Sequence, residues 1–379
     1  MAGIYIHIPF CKKKCHYCNF YSTPSVKRKD ELIQSLHKEL ILQKQYPGET
    51  IGTIYFGGGT PSLLSGDEIK RLTDTVYANY QIENNPEVTF EVNPDDISIQ
   101  KIRELKTTAI NRISIGVQSF FQQDLNYLNR IHSPEQAEYA VKALQDAGFE
   151  NMSIDLIYGI PTLGLENWKK NLLKAVEMQV PHISAYAITV EPNTNLDVLI
   201  RHEKRQPVSD TETAQQFRFV MDFLRGKNYL HYEISNFCQP GFESKHNKSY
   251  WENIPYLGIG PSAHSFNNVS RQWNCSNLNE YIAAIMDNYI SCETEILTLN
   301  QKYNEYVMMS FRTSSGVSFQ KLKSLFGEEY LTIFQGILKN YKNSDRLALS
   351  DDVTSLTDEG KLFADSIIAD FFIVDSERE

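Results

Sequence analysis

The chain has 379 residues, 41% of them hydrophobic and 22% charged, with a formal net charge of -10. A single core rarely grows past about 250–300 residues, so one large domain plus a smaller one is expected. The acidic balance disfavours nucleic acid as a partner, and no apolar run approaches the roughly 18 residues that span a bilayer.

In chain order, Ile4–Ile8 reads as a strand, followed by a cysteine-rich loop. Asp30–Gln45 reads as a helix with Leu32, Leu36, Leu40 and Ile41 on one face. Thr53–Phe56 is a strand closed by the turn Gly57-Gly58-Gly59-Thr60-Pro61. Ser65–Tyr80 is a helix whose Ser65 and Glu68 make a capping-box pattern. Strands at Val88–Val92, Arg112–Val117, Met152–Ile157 and His182–Ala187 then alternate with helices at Ile99–Lys106, Pro134–Ala147 and Glu166–Glu177. Six βα-type units imply a parallel sheet, either a partial barrel or a doubly wound sheet. From residue 196 to about 290 the pattern is mixed, with a long helix near Thr211–Arg225 and a stretch rich in glycine and aromatics from Asn236 to Trp273. From about 291 to 379 it turns helical, with one short strand near Arg346–Leu349, as in a small winged-helix-like domain.

Met1–Phe10 carries neither a basic n-region nor a cleavable apolar core, so a cytoplasmic protein is expected. Cys11, Cys15 and Cys18 form a C-x3-C-x2-C motif directly after the first strand, whereas Cys238, Cys275 and Cys292 lack ligand spacing and read as ordinary buried thiols. In a reducing compartment such a cluster of thiols points to metal. Zinc sites close with four ligands, often two distant C-x2-C pairs; three adjacent thiolates suit a four-iron cluster that leaves one iron open to a small molecule. Three buried thiols, or a zinc site completed by His16, are the alternatives. The glycine run allows close backbone approach to a ligand, and on its own it is also an ordinary strand-to-helix turn. Glu91, Gln118 and Asp155 are polar groups in otherwise apolar strands, near the strand ends where barrel enzymes carry their sites. Structural hydrogen bonding is the alternative for each.

The run from Ile6-His7-Ile8-Pro9-Phe10-Cys11 to Phe20 resembles the signature of the radical S-adenosylmethionine (SAM) family, in its coproporphyrinogen-dehydrogenase-like branch. The resemblance extends over nearly the whole chain. It implies an α/β fold: a partial (β/α)6 TIM-type barrel (1–195), an α/β extension completing the core (196–290) and a small, mainly helical C-terminal domain (291–379). It implies a [4Fe–4S] cluster on Cys11, Cys15 and Cys18, with SAM on the unique iron, where one-electron reduction cleaves the sulfonium C–S bond. It further implies that Gly58, Gly59, Thr60, Glu91, Gln118, Arg130 and Asp155 bind SAM, Arg130 through the carboxylate. Tyr5 matches a tyrosine at the cofactor and Tyr17 the aromatic residue beside the cluster. His7 is expected to pack there too.

Two members of the branch fit: an oxygen-independent coproporphyrinogen III dehydrogenase, and a haem chaperone that binds haem and delivers it to haem-requiring apoproteins. The dehydrogenase carries a fourth cysteine where this chain has Phe20, and a long extension before the motif where this chain reaches Cys11 at once. His246-Asn247-Lys248-Ser249-Tyr250-Trp251 fits the H-N-x-x-Y-W motif of the chaperone group. The expectation is therefore a haem chaperone, with no catalytic residue assigned. Radical SAM modification of tRNA is disfavoured by the acidic charge. His246 and His264 are candidate haem ligands, because neutral imidazole is a common axial ligand; a structural hydrogen-bonded histidine is the alternative for both. Most of the 21 tyrosines and 20 phenylalanines read as core, and some are candidates to line a tetrapyrrole site. The expected partners are haem or porphyrin, a reductant such as flavodoxin, and recipient apoproteins. A homodimer on cluster loading is a further expectation.

Overall fold

The computed structural model describes residues 1–374, so the last five residues of the expected C-terminal domain lie outside the described residues. Its strands are β1 (Ala2–Ile8), β2 (Ile51–Gly58), β3 (Ile82–Val92), β4 (Arg112–Gln118), β5 (Met152–Tyr158), β6 (His182–Ala187), β7 (Leu230–Glu233), β8 (Asn236–Cys238), β9 (Tyr256–Ile259), β10 (His264–Phe266), β11 (Ser270–Asn274) and β12 (Cys292–Ile296). They form one sheet in the order β12-β11-β10-β9-β1-β2-β3-β4-β5-β6-β8-β7. Strands β1 to β6 pair in parallel in sequence order, which is the partial barrel that the alternation predicts. The curved sheet stays open.

Residues 196–290 supply strands at both edges of that arc. β9 adds to β1 in parallel, a seventh parallel strand that the sequence reading does not include. The antiparallel strands β10 and β11 continue outward from it, and β12, from just past residue 290, forms the outermost edge. At the other edge β8 and β7 pair antiparallel beyond β6.

Helices form where apolar residues recur at helical spacing, and caps fix their starts. Gly66–Asn79 carries the expected capping box between Ser65 and Glu68, and Pro134–Asp146 has a second between Ser133 and Gln136. Each box satisfies two backbone donors that a helix start leaves open. The faces turned to the sheet are fully buried, for example Leu32, Leu36 and Leu40 on the helix Lys29–Leu42. Each such leucine contributes about 1.5–3 kcal/mol by leaving water.

The C-terminal part has its own core around Tyr303, Phe311, Leu322, Phe334, Ile367 and Phe371. It is mainly helical, with helices at Leu299–Phe311, Phe319–Phe326, Glu328–Leu338 and Ala364–Asp370. The single expected strand there is part of a three-stranded antiparallel sheet of β13 (Val317–Ser318), β14 (Leu347–Leu349) and β15 (Val353–Leu356). Two-residue β13 has no readable period, which is why periodicity does not reveal it. Backbone bonds from Ile234 to Arg312 (2.8 Å) and from Ser314 to Tyr232 (3.0 Å), together with the Arg218–Glu359 pair (2.9 Å), dock this part on the sheet edge.

One buried carboxylate joins the first helix to the extension. Glu39 accepts from Gln43 Nε2 (2.8 Å), the Gly260 amide (2.8 Å), Asn274 Nδ2 (2.7 Å) and the Tyr281 hydroxyl. Burial pushes its pKa up to about 7 against those four donors. Removing the acceptor leaves buried donors without partners, at about 1–3 kcal/mol each before relaxation. Glu39→Ala is expected to destabilise the protein by about 3–5 kcal/mol, read as a fall in the urea midpoint. An unchanged midpoint would contradict this account of the junction.

Candidate functional site

A cavity of about 480 Å³ opens at the C-terminal ends of the parallel strands, the end at which barrel enzymes build their sites. Its lining includes Cys11, Cys15, Cys18, Glu91, Arg130 and Asp155, residues far apart in sequence. Tyr5, Tyr17, Gly58, Gly59, Thr60 and Gln118 line it as well. The structure thus gathers twelve of the fourteen candidate residues around one space and leaves two, His246 and His264, outside it.

The cysteine loop is tied down from several sides. The Cys11 amide donates to Thr23 O (3.0 Å) and the Thr23 amide to Pro9 O (2.7 Å). The His16 amide donates to Leu128 O (3.1 Å), and Asn129 Nδ2 to Lys14 O (2.9 Å). Lys12 pairs with Asp95 at 2.9 Å and also with Asp96, which anchors the loop to the end of β3. Thr60 Oγ1 donates to Cys11 Sγ (3.6 Å) and Arg130 Nη1 to Cys15 Sγ (3.4 Å). Burial pushes the Cys11 thiol up, and the Thr60 bond works against that rise. Among the described residues no three His, Cys, Asp or Glu side chains gather as ligands of a single metal ion. His16 joins no such group with the cysteines, and its Nδ1 is engaged with Tyr127 O (3.1 Å). Three thiols spread around one cavity fit a cluster, whose irons each take one thiolate, better than one zinc ion.

The glycine turn makes this proximity possible. A Cβ on Gly59 would lie 2.6 Å from Phe10 O, 2.9 Å from Ile8 O and 3.0 Å from Cys11 Sγ. Gly58 has φ +111, and its Cβ would meet the His7 ring at 2.6 Å. His7, buried and held to Tyr21 O (3.1 Å), therefore packs beneath the turn.

The carboxylates line the same cavity, and Glu91 lies against the glycine turn, its Oε1 3.1 Å from where a Cβ on Gly57 would sit. The Tyr55 hydroxyl donates to Glu91 Oε1 (2.8 Å). Burial and the nearby Asp155 push Glu91 up to about 7, and burial pushes Asp155 up to about 6. A cation between them would draw both back to the charged form. Gln118 ends β4 with φ 67, a left-handed backbone rare for glutamine and typical of strained functional positions. Arg130 Nη2 donates to Asn93 Oδ1 (2.7 Å) and Gly116 O (2.8 Å), so its guanidinium is fixed before any ligand arrives.

The two candidate haem ligands lie elsewhere. His246 is 1% exposed. Its Nδ1 is bonded to Thr53 Oγ1 (2.8 Å), its Nε2 to Tyr250 OH (2.9 Å), and its ring stacks on Tyr55 with centroids 4.9 Å apart. His264 is exposed on β10, stacked on Trp273 at 6.0 Å. Sequence reasoning missed Tyr55 and Asn93, which orient Glu91 and Arg130, and Tyr186, which lines the cavity at the end of β6. Asn93 directly follows the Glu91-Val92 strand end, and that position was the available signal.

Residues 5–195 match the model of the radical SAM superfamily. The chain belongs to the radical SAM superfamily. Residues 297–363 match the HemN C-terminal domain. The "Heme chaperone HemW" of Lactococcus lactis is 34% identical, over 98% of this chain and 97% of its own length. That of Bacillus subtilis is 31% identical over 98% of this chain and 99% of its own. Among solved structures, the coproporphyrinogen III oxidase HemN of Escherichia coli superposes with a TM-score of 0.84, covering 98% of this chain and 90% of that one, at 21% identity. At that identity the likeness speaks for the fold. Radical SAM membership implies a [4Fe–4S] cluster and SAM as cofactors.

Gly59→Ala is expected to push the cysteine loop off the turn, since backbone carbonyls cannot yield to a Cβ at 2.6 Å. The reconstituted variant should lose most of the broad visible absorbance of an iron–sulfur cluster. A full cluster would contradict the close-approach argument.

Proposed function

We propose that this chain is a radical SAM haem chaperone, which binds haem and passes it to haem-requiring apoproteins. The observation that carries the reading is full-length identity of 34% and 31% to relatives bearing that name. Phe20, at the place where the dehydrogenase branch has a further cysteine, and the H-N-x-x-Y-W run at His246–Trp251 support the same side.

In this reading Cys11, Cys15 and Cys18 hold the cluster. Bound together, cluster and SAM supply one-electron chemistry at the SAM sulfonium. The chain's own residues bind and orient. Glu91 and Asp155 offer negative charge to the cationic part of SAM, Gln118 a neutral amide, and Arg130 a fixed positive charge on the side of Cys15. Gly58, Gly59 and Thr60 let the backbone come close, while Tyr5 and Tyr17 contribute ring faces to the wall. The reading also includes a reductant of the flavodoxin type, recipient apoproteins in the cytoplasm and a homodimer on cluster loading. Among the described residues no helix is long and apolar enough to cross a membrane.

The decisive test is anaerobic incubation of the reconstituted protein with SAM, a strong reductant and coproporphyrinogen III, followed by chromatography. No conversion is expected, with haem uptake by the same preparation. Appearance of protoporphyrinogen would make the protein an oxidative decarboxylase.

Two further outcomes follow from the ligand roles. Cys15→Ala should abolish the cluster absorbance, and a complete cluster in that variant would remove Cys15 from the ligand set. Because the Glu91 and Asp155 pKa values are raised, the charged forms dominate only towards higher pH. SAM binding should therefore tighten between about pH 5.5 and 7.5, and Glu91→Gln should flatten that rise. Equal pH dependence in wild type and Glu91→Gln by equilibrium binding would exclude Glu91 from the cation's partners.

A further inference from the structure

We propose that haem docks at the outer rim of the cysteine-lined cavity, with its ring on Phe20 and its propionates on Lys13 and Lys14, and that His246 is not its iron ligand. This rests on the haem-chaperone reading and places the cargo within it.

The argument begins with what His246 already does. Both ring nitrogens are committed, to Thr53 Oγ1 at 2.8 Å and Tyr250 OH at 2.9 Å, which leaves no lone pair free for iron. The ring is clamped by Tyr55, and the space for it exists because residue 3 is glycine: a Cβ there would meet Thr53 Oγ1 at 2.9 Å and His246 Cε1 at 3.2 Å. The backbone amides of Lys245 and His246 hold Glu87 at 3.1 and 3.0 Å, which fixes the start of the motif helix against β3. Presenting His246 to a ligand the size of haem would break both side-chain bonds and unpack this layer. The motif instead braces Tyr55, and Tyr55 holds Glu91. His246 is thus a positioning residue for the cavity wall.

The rim of the cavity has the opposite character. Phe20 is 65% exposed, so its ring is open to a ligand at the rim. It lines the same cavity as Lys13 and Lys14, and so does Tyr186, 39% exposed at the end of β6. Phe20 follows β1 and Tyr186 ends β6, so the two exposed rings come from the two ends of the six-stranded arc. Lys12 is paired with Asp95 and Asp96, whereas among the described residues Lys13 and Lys14 have no ion pair. Glu191 also lines the cavity and repels a carboxylate, which leaves the lysines as the partners for negative charge at the rim. A flat apolar face beside two unpaired ammonium groups matches haem, a flat apolar ring with two carboxylates on one edge. Docking there sets the cargo directly over the cofactor cavity.

The test titrates haem anaerobically into the cluster-loaded full-length protein, following the Soret band. The proteins are wild type, Phe20→Ala, the double variant Lys13→Glu/Lys14→Glu, and His246→Gln. Cluster absorbance serves as the control for folding; Phe20, Lys13 and Lys14 are exposed, so their variants are expected to keep it. Phe20→Ala should weaken haem about tenfold and the double lysine variant at least as much, while His246→Gln stays within about threefold of wild type. His246→Gln should instead weaken SAM, by disturbing Tyr55 and Glu91. Wild-type affinity in both rim variants, or loss of the Soret band in His246→Gln with SAM binding intact, would overturn the proposal. If wild type itself takes up no haem, the chaperone reading falls and the site falls with it. Uptake by wild type with unaffected rim variants removes the site alone.

Discussion

The structure depends on one close approach. The backbone of β2 must pass within van der Waals contact of the loop that follows β1, and a side chain at Gly59 would collide with the carbonyls of Ile8 and Phe10 and with Cys11 Sγ. Glycine at that position lets the turn and the cysteine loop share a wall. Neighbouring contacts depend on this approach: the Thr60–Cys11 hydrogen bond, the packing of His7 under Gly58, and the placement of three thiols at the mouth of the barrel. Loop ties through Lys12, His16 and Asn129 then hold the thiols from the far side. The loop is short and carries three polar thiols, so its order comes from these contacts and from no core of its own.

A second layer sits under the cavity and is polar throughout. Tyr5, Tyr55 and His246 stack, with Tyr5–Tyr55 centroids 6.0 Å apart and Tyr55–His246 centroids 4.9 Å apart. Buried polar groups are costly when unpartnered, and here Tyr5 is bonded to His7, Tyr55 to Glu91, and His246 to Thr53 and Tyr250. The layer transmits position: the H-N-x-x-Y-W helix holds His246, His246 packs on Tyr55, and Tyr55 aims Glu91. A motif distant in sequence from the cysteines thereby shapes the electrostatics of the cysteine-lined cavity. Two carboxylates whose pKa values burial raises are poised to take full charge when a cation enters beside them.

Much of this was legible in the residues. Short β-branched runs alternating with helical patterns locate β1 through β6, because strands of a buried parallel sheet read as near-continuous apolar runs. Ser65 and Glu68 announced a helix start because a capping box is purely local chemistry. The cysteine spacing and the polar residues at strand ends pointed to residues that the fold gathers, since strand ends on one side of a parallel sheet converge. What escaped has physical reasons too. β9 is four residues long inside a glycine-rich run, too short for a period, yet it extends the parallel sheet. β3 begins at Ile82, earlier than its apolar stretch, because its first residues are partly exposed and carry no alternation. His246 offered an imidazole of the right type for iron, and only the fold reveals that both its nitrogens are already used.

The central claim is that the cavity at the strand ends binds a cluster with an open iron beside SAM. The most direct measurement is the electron paramagnetic resonance spectrum of the dithionite-reduced, reconstituted protein before and after addition of SAM. The account predicts the signal of a reduced [4Fe–4S] cluster whose g-values shift when SAM coordinates the unique iron. A cluster spectrum that SAM leaves unchanged, at SAM concentrations that saturate binding, would contradict it.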